Sequence, residues 1–419
     1  MSLWSNALAK LGWSLRFAAL NLSRHMRRTV VATITVATGF TALALFSGYT
    51  ANVYQGMRNQ AIFAEMLGHM TLFKPGLREQ GLLHPEHWLL SPQDIEQARA
   101  AVLKVESKAQ VFPRLSLNGL ISNGRVSTIF IAEALNPEDM RTLRGPLAYA
   151  SGALELDEAN GISISNALAV LLEAAYGSDL SLLGSTIHGQ TNAVDAVVTD
   201  TYDTGNPGTN DKSLYMPLEQ ARSLLDAPGM ANRLSVVLPD ARQVDELLPR
   251  VQAELQRAGS PLTVHSWQQD AANYRQVKAM FDVIFAFMFV ILLVICVMTL
   301  TNVVGMNVIE RAREIGALRA QGMKQAIVVR LFATEALLII VLGCLAGLAI
   351  AMALRYAINS AGLGFIPPNT TARVPLTVGV DTVRLVQAAL FLGICGTVAA
   401  WWTARRAARQ PIIYLLGHV

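Results

Sequence analysis

Four stretches of the chain, 29–57, 283–309, 336–354 and 385–404, contain no Asp, Glu, Lys or Arg and are dominated by apolar residues. A helix needs about 20 apolar residues to cross a hydrocarbon core about 30 Å thick. Each stretch is long enough, so the pattern predicts four transmembrane helices. Helices buried in a water-soluble core would have to reach spanning length four times over. The first stretch is read as a retained helix and not as a secretory signal. Residues 1–28 precede it, and neither a clear small-x-small cleavage site nor a lipobox cysteine accompanies it.

Ahead of the first stretch, Trp4, Leu8, Leu11, Leu15, Ala18 and Leu22 recur every three to four positions, with Lys10, Ser14, Arg16 and Asn21 elsewhere around the wheel. This pattern predicts an amphipathic helix lying on a membrane surface, with Trp4 and Trp13 suited to the headgroup boundary.

The segment 58–278 has a different rhythm. Strands are predicted at 68–74, 115–123 and 126–133, with Gly124 at a turn between the last two. Ser91 followed by Pro92 is an N-cap with proline at the first helical position, opening a helix to about Glu106. Further on come a strand at 234–238, a helix capped by Asp240 and running to about Arg257, and a short strand at 262–265. Two βαβ halves of this kind make a ferredoxin-like core. Between them, roughly 141–231, lies an insertion with Gly161-Ile162-Ser163-Ile164, a helix from Asn166 to about Ala175, strands near 180–183 and 193–199, and a Gly/Pro/Asn/Asp-rich loop around 204–211. It reads as a small β-rich subdomain.

Charge sets the expected orientation. Lys10, Arg16, Arg24, Arg27 and Arg28 precede the first span without an acid, Arg311, Arg313, Arg319 and Lys324 lie between the second and third, and Arg405, Arg406 and Arg409 follow the fourth. The positive-inside rule therefore places both termini in the cytoplasm. The segment 58–278 carries 18 Lys and Arg against 25 Asp and Glu, and the other positions carry 16 against 5. The overall +4 thus divides into an acidic outer domain and a basic inner face, which suits anionic headgroups and a cytoplasmic partner. The fold class expected is an α-helical membrane protein with four transmembrane helices and a large α+β extracytoplasmic domain, a ferredoxin-like core with an inserted β-rich subdomain.

The predicted layout is a cytoplasmic amphipathic helix over 1–28, a first span over 29–57, an outer domain over 58–278 and a second span over 279–309. A cytoplasmic coupling helix over 310–327, a third span over 328–355, a short outer loop over 356–383, a fourth span over 384–404 and a cytoplasmic tail over 405–419 complete it.

Composition agrees. Of 419 residues 52% are hydrophobic and only 15% charged, whereas soluble proteins carry about 25% charged residues. Cys296, Cys344 and Cys395 all sit in the apolar stretches and read as buried thiols, not as a disulfide or metal set.

Catalytic motifs are missing from this sequence. It contains no G-x-x-x-x-G-K-[ST] phosphate loop, no H-E-x-x-H and no G-x-S-x-G. His84 and His87 flank Pro85 and Glu86 in a predicted loop without an obvious third ligand, and Asp200, Asp203 and Asp211 read as a polar loop. Glu310, Glu314 and apolar residues interrupt the basic stretch 311–324, which argues against nucleic acid. Glu335 lies at the cytoplasmic end of the third span, where a charge costs a few kcal/mol unless paired or near water. It is either a gating or inter-helix contact, or a carboxylate reaching the interface.

The segment Asn307-Val308-Ile309-Glu310-Arg311-Ala312-Arg313-Glu314-Ile315-Gly316-Ala317-Leu318-Arg319-Ala320-Gln321-Gly322 resembles the cytoplasmic motif of the FtsX/MacB/LolC–LolE superfamily of ABC-transporter permeases, the type VII or mechanotransmission class. The likeness continues through Thr334-Glu335-Ala336-Leu337 and Gly343-Cys344-Leu345-Ala346-Gly347, and extends to the layout of one span, a large outer domain and three further spans. In the outer domain, 161–183 and Tyr215-Met216-Pro217-Leu218 are similar to the LolC–LolE and MacB types.

The resemblance implies that a short helix docks in a groove of an ATPase subunit, with Glu314, Ile315, Leu318, Arg319 and Gly322 as the contact. The residue types fit that role. Ile315 and Leu318 form an apolar knob, Arg311, Arg313 and Arg319 can pair with acids, and Gly316 and Gly322 permit close approach. Glu335 is the expected coupling residue within the membrane.

The resemblance further implies an inner-membrane permease with no catalytic site, metal or cofactor of its own. ATP and Mg would belong to an ABC ATPase present in two copies. The other expected partners are a second permease chain, identical or homologous, membrane lipids, and a periplasmic carrier or adaptor. The expected role is extraction or export of a lipoprotein, lipid or other amphiphile. The alternatives are a transmembrane signal transmitter acting on a periplasmic enzyme, or an export pump working with an adaptor. Two departures from the family bear on that role. MacB carries its ATPase in the same chain, and no clear counterpart of the LolC carrier-binding loop is present.

Overall fold

The computed structural model describes residues 26–77, 85–145, 159–205, 207–310, 324–365 and 374–408. All but the last three residues of the expected N-terminal amphipathic helix, all but the ends of the expected coupling helix, and most of the tail lie outside these residues. The chain divides into two units, one holding the long apolar helices and the other the segment 55–277 with 364–374.

Four long helices make up the first unit: α1 (Met26–Asn59), α7 (Ala272–Glu310), α8 (Gln325–Ser360) and α9 (Thr382–Ala408). Each contains a window apolar and long enough to cross a membrane. The helices outrun the expected spans because an α-helix ends where its backbone pairing ends, not where the hydrocarbon does. A core of Val36, Phe40, Leu43, Leu300, Phe332, Ile339 and Leu392 joins all four. Cys296 and Cys344 are buried in it, whereas Cys395 is only half-buried; all three are free.

The second unit begins with a π-helical turn, Gln60–Ala64, where Ala61 and Ile62 pack with Trp267 and Ala271. Its ferredoxin-like part comprises β1 (Met70–Phe73), α2 (Pro92–Val105), the first half of β2 (Gln110–Ser122), β8 (Arg233–Val237), α6 (Val244–Arg257) and β9 (Thr263–Ser266). The strands lie in the order β2-β8-β1-β9, all antiparallel. The second βαβ half interleaves with the first as expected, but the strand that joins this sheet after α2 is residues 110–114, ahead of the expected 115–123. Ser91 closes a capping box with Asp94 at the start of α2, and Met70, Leu72, Ile95, Val102, Val236 and Val251 fill the layer between sheet and helices. Asp240 caps a 3-10 turn, Ala241–Gln243, and α6 starts only after it.

The inserted part is a closed barrel. Its strands are β2, β3 (Ser127–Leu135), β4 (Gly161–Ser165), β5 (Asp179–Ser185), β6 (Thr191–Tyr202) and β7 (Ser213–Pro217). They pair in the cycle β2-β3-β7-β4-β6-β5 and back to β2. Leu115, Ile121, Phe130, Ile162, Leu182 and Val198 fill its interior. Three sequence expectations are corrected here. The hairpin β2–β3 was placed in the ferredoxin-like core, but β3 belongs wholly to the barrel. β2 is shared, pairing β8 through residues 110–114 and β3 from Leu115 onward. The helix from Asn166, α4, ends at Leu171 because Glu173 turns into the left-handed region at φ 48°. Two short helices beside the barrel, α3 (Pro137–Arg144) and α5 (Leu218–Leu225), were not expected from the sequence.

Candidate functional site

Residues 311–323, which contain Arg311, Arg313, Glu314, Ile315, Gly316, Leu318, Arg319 and Gly322, lie outside the described residues. Their flanks are described: α7 ends at Glu310 and α8 starts at Gln325.

Helix α8 meets α1 backbone to backbone. Gly343 and Gly347, four residues apart, lie on one face of α8. A Cβ at Gly343 would stand 2.6 Å from Val36 Cγ1, and one at Gly347 would stand 2.6 Å from the Ala37 carbonyl oxygen. The Thr41 hydroxyl lies 2.8 Å from the Ala37 carbonyl in its own helix and 2.9 Å from the Gly347 carbonyl in α8. Small residues four apart with a hydroxyl at the contact are how helices associate in lipid, where burial of apolar surface gives no drive. Glu335 stands two turns before Gly343 and on the same face as Phe332 and Ile339; only 3% of it is exposed. The structure thus places it on the packed side of α8, not on an outward-facing side.

Helix α7 meets α1 at three levels. The Arg28 guanidinium forms a two-pronged pair with Glu310, both nitrogen–oxygen distances being 2.6 Å. Midway, Leu292 fills the space above Gly39. Toward the other end the Phe281 ring stands edge-on to Phe46, Tyr49 and Tyr54, with centroids 6.1, 6.1 and 6.3 Å away. There, Asp282 accepts from the Tyr54 hydroxyl at 3.0 Å, from Lys278 at 2.7 Å and from Arg384 of α9 at 2.8 Å. Arg384 also lies over the rings of Tyr54 and Phe285, at 5.5 and 5.4 Å, where the ring quadrupole attracts a cation.

In the sequence, Arg28 is an orientation charge, Glu310 belongs to the motif after the second stretch, and Asp282 and Arg384 each stand one residue before an uncharged stretch. Their position at the ends of apolar stretches was the available signal. Which end would meet which could not be read without knowing which helices are neighbours.

In the outer unit the polar feature of note is a partly buried charge set where β2 leaves the barrel. Glu133 accepts from Arg114 at 2.7 Å, from Arg233 at 2.5 Å and from Ser116 at 2.8 Å. Arg114, 1% exposed, also donates to the carbonyl of Met66. Burial alone would raise the Glu133 carboxyl, but Arg233 and Arg114 hold it below its usual range. Burial lowers the Arg233 guanidinium, with Glu133 opposing that shift. The nearby Tyr215 phenol is pushed up to about 12, chiefly by burial. The set ties β2, β3 and β8 together.

A cleft of about 410 Å³ opens between α2, the first half of β2 and the start of α3, lined by Arg99, Leu103, Val111, Pro113 and Asp139. Among the described residues, no three His, Cys, Asp or Glu side chains come together as a metal set. His84, one of the two histidines noted in the sequence, lies outside the described residues.

Comparison with known proteins supplies the class. Residues 29–254 match the MacB-like periplasmic core domain and residues 286–412 the FtsX-like permease C-terminal family. The chain belongs to the MacB/FtsX family of ABC-transporter permeases: it is a multi-pass membrane protein with an extracellular domain. It is 21% identical over 213 residues to an uncharacterized ABC transporter permease of Methanocaldococcus jannaschii, a match covering 50% of this chain and 51% of that protein. The chain thus spans about half the length of the curated relative it matches.

Among solved structures, it is similar to the extracellular domain of the noncanonic ABC-type transporter YknZ from Gram-positive bacteria (13% identity, 47% of this chain and 99% of that one, TM-score 0.31). It is also similar to a domain of a Porphyromonas gingivalis protein described as a permease (11% identity, 47% and 86%, TM-score 0.25).

Proposed function

We propose that this chain is the membrane subunit of an ABC complex whose ATPase is a separate polypeptide, and that it passes ATP-driven movement across a bacterial inner membrane to its outer domain. The reading rests on the motif from Glu310 to Gly322, which falls between two apolar helices in a chain lacking a G-x-x-x-x-G-K-[ST] loop. Two ATPase copies would dock on two permease chains, through Glu314, Ile315, Leu318 and Arg319, with both termini cytoplasmic. Arg311 and Arg313 would pair with acids of the ATPase, and Gly316 and Gly322 would let the backbones approach. ATP and Mg would be held by the ATPase, and Glu335 would link the docking segment to the packed face of α8.

The spans favour force transmission over a hydrated path. A polar solute would need hydrogen-bonding groups along its route. The described bundle interior is instead filled mainly by apolar side chains such as Phe40, Leu300, Phe332 and Ile339, with the hydroxyls of Thr41, Ser47 and Thr50 buried in α1 and Glu335 near one edge. Cargo would then be met outside the membrane by the outer domain, and an amphiphile such as a lipoprotein or lipid is the fitting class.

The test is co-expression and co-purification with a candidate ABC ATPase chain from the same genome. The double variant Glu314→Ala, Leu318→Asp should lose the ATPase while the permease keeps its elution profile, and the chain alone should hydrolyse no ATP. Unchanged assembly and unchanged coupled hydrolysis would overturn the docking assignment.

A further inference from the structure

We propose that α1 and α7 form a two-helix strut pinned at both ends, so that the pair moves as one body within the membrane unit. The strut rests on three contacts: Arg28 with Glu310, Leu292 over Gly39, and Asp282 with Tyr54.

The geometry is that of a clamped pair. Arg28 and Tyr54 are about 26 residues apart on α1, and Glu310 and Asp282 about 28 apart on α7, roughly 40 Å in each helix at 1.5 Å per residue. The two helices are antiparallel, so matching lengths bring both pairs of ends together. One pin alone would leave the helices free to scissor about it. Two pins that far apart, with a close approach between them, remove both scissoring and sliding.

Each pin has a geometry that resists turning. The Arg28–Glu310 pair is two-pronged, which fixes orientation as well as distance. At the other end, Asp282 is held by three donors on three different side chains, and Phe281 beside it is seated among Phe46, Tyr49 and Tyr54. Through Arg384 that end also takes in α9. Both pins stand near the edges of the apolar stretches, where a charge pair is least costly in a membrane and where a load entering the bundle would first be felt.

The consequence is a division of labour. Movement arriving beside Glu310 would be carried along the strut without being absorbed as sliding between α1 and α7. Changes of shape would fall on other contacts of the bundle. This consequence depends on the force-transmission reading, but the strut itself does not, and the two are tested apart.

The experiment is pulsed electron-spin distance measurement on the full chain in nanodiscs, in a background without the native cysteines. Nitroxides at Val31 and Ile309 report one end, and nitroxides at Ala51 and Val283 report the other. With neither ATPase nor nucleotide, both pairs should give narrow distributions. Arg28→Gln should broaden the first and leave the second narrow, Asp282→Asn the converse, and the double variant should broaden both about twofold or more. If the double variant stays as narrow as the parent, the pins do not hold the helices and the strut is overturned.

In the complex with its ATPase, adding MgATP and vanadate should shift either mean distance by less than about 3 Å. A larger change at one end would show the helices sliding apart under load and would also overturn the strut. Failure of ATPase binding would count against the functional reading alone, since the nucleotide-free distances stand without it.

Discussion

The guanidinium of Arg114 meets the carboxylate of Glu133 at 2.7 Å where β2 passes from the barrel into the ferredoxin-like sheet. Arg233 reaches the same carboxylate from β8 at 2.5 Å, so one acid ties three strands. Removing one member of a buried charge set costs roughly 3–5 kcal/mol, because the remaining charges stay desolvated and unpaired. Glu133→Gln should therefore lower the urea midpoint of the outer domain sharply. Because the folded-state carboxyl titrates below its usual range, the wild-type contribution is present above the ordinary glutamate pKa of about 4.3. It is lost as pH falls through the depressed value. The variant should lose that acid-side dependence, as followed by circular dichroism across pH 6 to 3.

The Gly347 contact predicts an effect of size. A side chain there would push against the Ala37 carbonyl 2.6 Å from its Cβ, and overpacking a tight contact costs about 1–3 kcal/mol. Gly347→Leu should lower the thermal midpoint of the detergent-solubilised chain by several degrees, read by fluorescence-detected size exclusion, with Gly347→Ala intermediate. Leu345→Ala, on the same helix but with Leu345 59% exposed, should be nearly silent.

His69 predicts a second, milder pH dependence. Its Nδ1 accepts the backbone N–H of Leu238 at 3.0 Å, which only the neutral ring can do. Burial, then the charge of Arg58, lower its pKa to about 4, with Asp240 opposing. The unfolded chain takes up a proton near pH 6.5 and the folded one does not. Stability therefore falls as pH drops from about 6.5 to about 4, by roughly 1–3 kcal/mol in all. His69→Gln keeps an acceptor for Leu238, and should flatten the urea midpoint over that window.

These residues also mark how far the sequence could be read. Charge-free stretches reveal the four long helices because a helix in lipid satisfies its own backbone and needs only apolar side chains. The helices of the βαβ halves were legible through Ser91 and Asp240, since caps are local signals, but the strand at 110–114 that joins the first half to the sheet was not. The closed barrel was not, because closure rests on the pairing of β3 with β7, Ile131 opposite Ser213, across a gap of some 80 residues. The same holds for Arg28 with Glu310 and Asp282 with Arg384: each charge was visible at a span end, but its partner follows from helix adjacency, which no local pattern encodes. The docking motif was legible only by resemblance, and its residues, 311–322, lie outside the described residues.

The charge distribution predicts an orientation in the membrane, which is the last prediction. The segment 58–278 carries 18 basic against 25 acidic side chains, and the other positions carry 16 against 5. Short basic segments resist translocation, whereas a large folded domain crosses largely regardless of its charge. The basic stretch 311–324 should therefore stay inside, and the domain between α1 and α7 should lie outside. The native thiols Cys296, Cys344 and Cys395 are in the apolar helices and can be replaced by Ala or Ser to give a clean background. In intact cells an impermeant maleimide should label Tyr176→Cys, where the native side chain is 82% exposed, and should label Gln321→Cys only after the membrane is opened. Labelling of Gln321→Cys in intact cells, with Tyr176→Cys protected, would invert the molecule. It would place the basic segment on the far side from any cytoplasmic ATPase, and the proposed route of force through α7 and α8 would have no source.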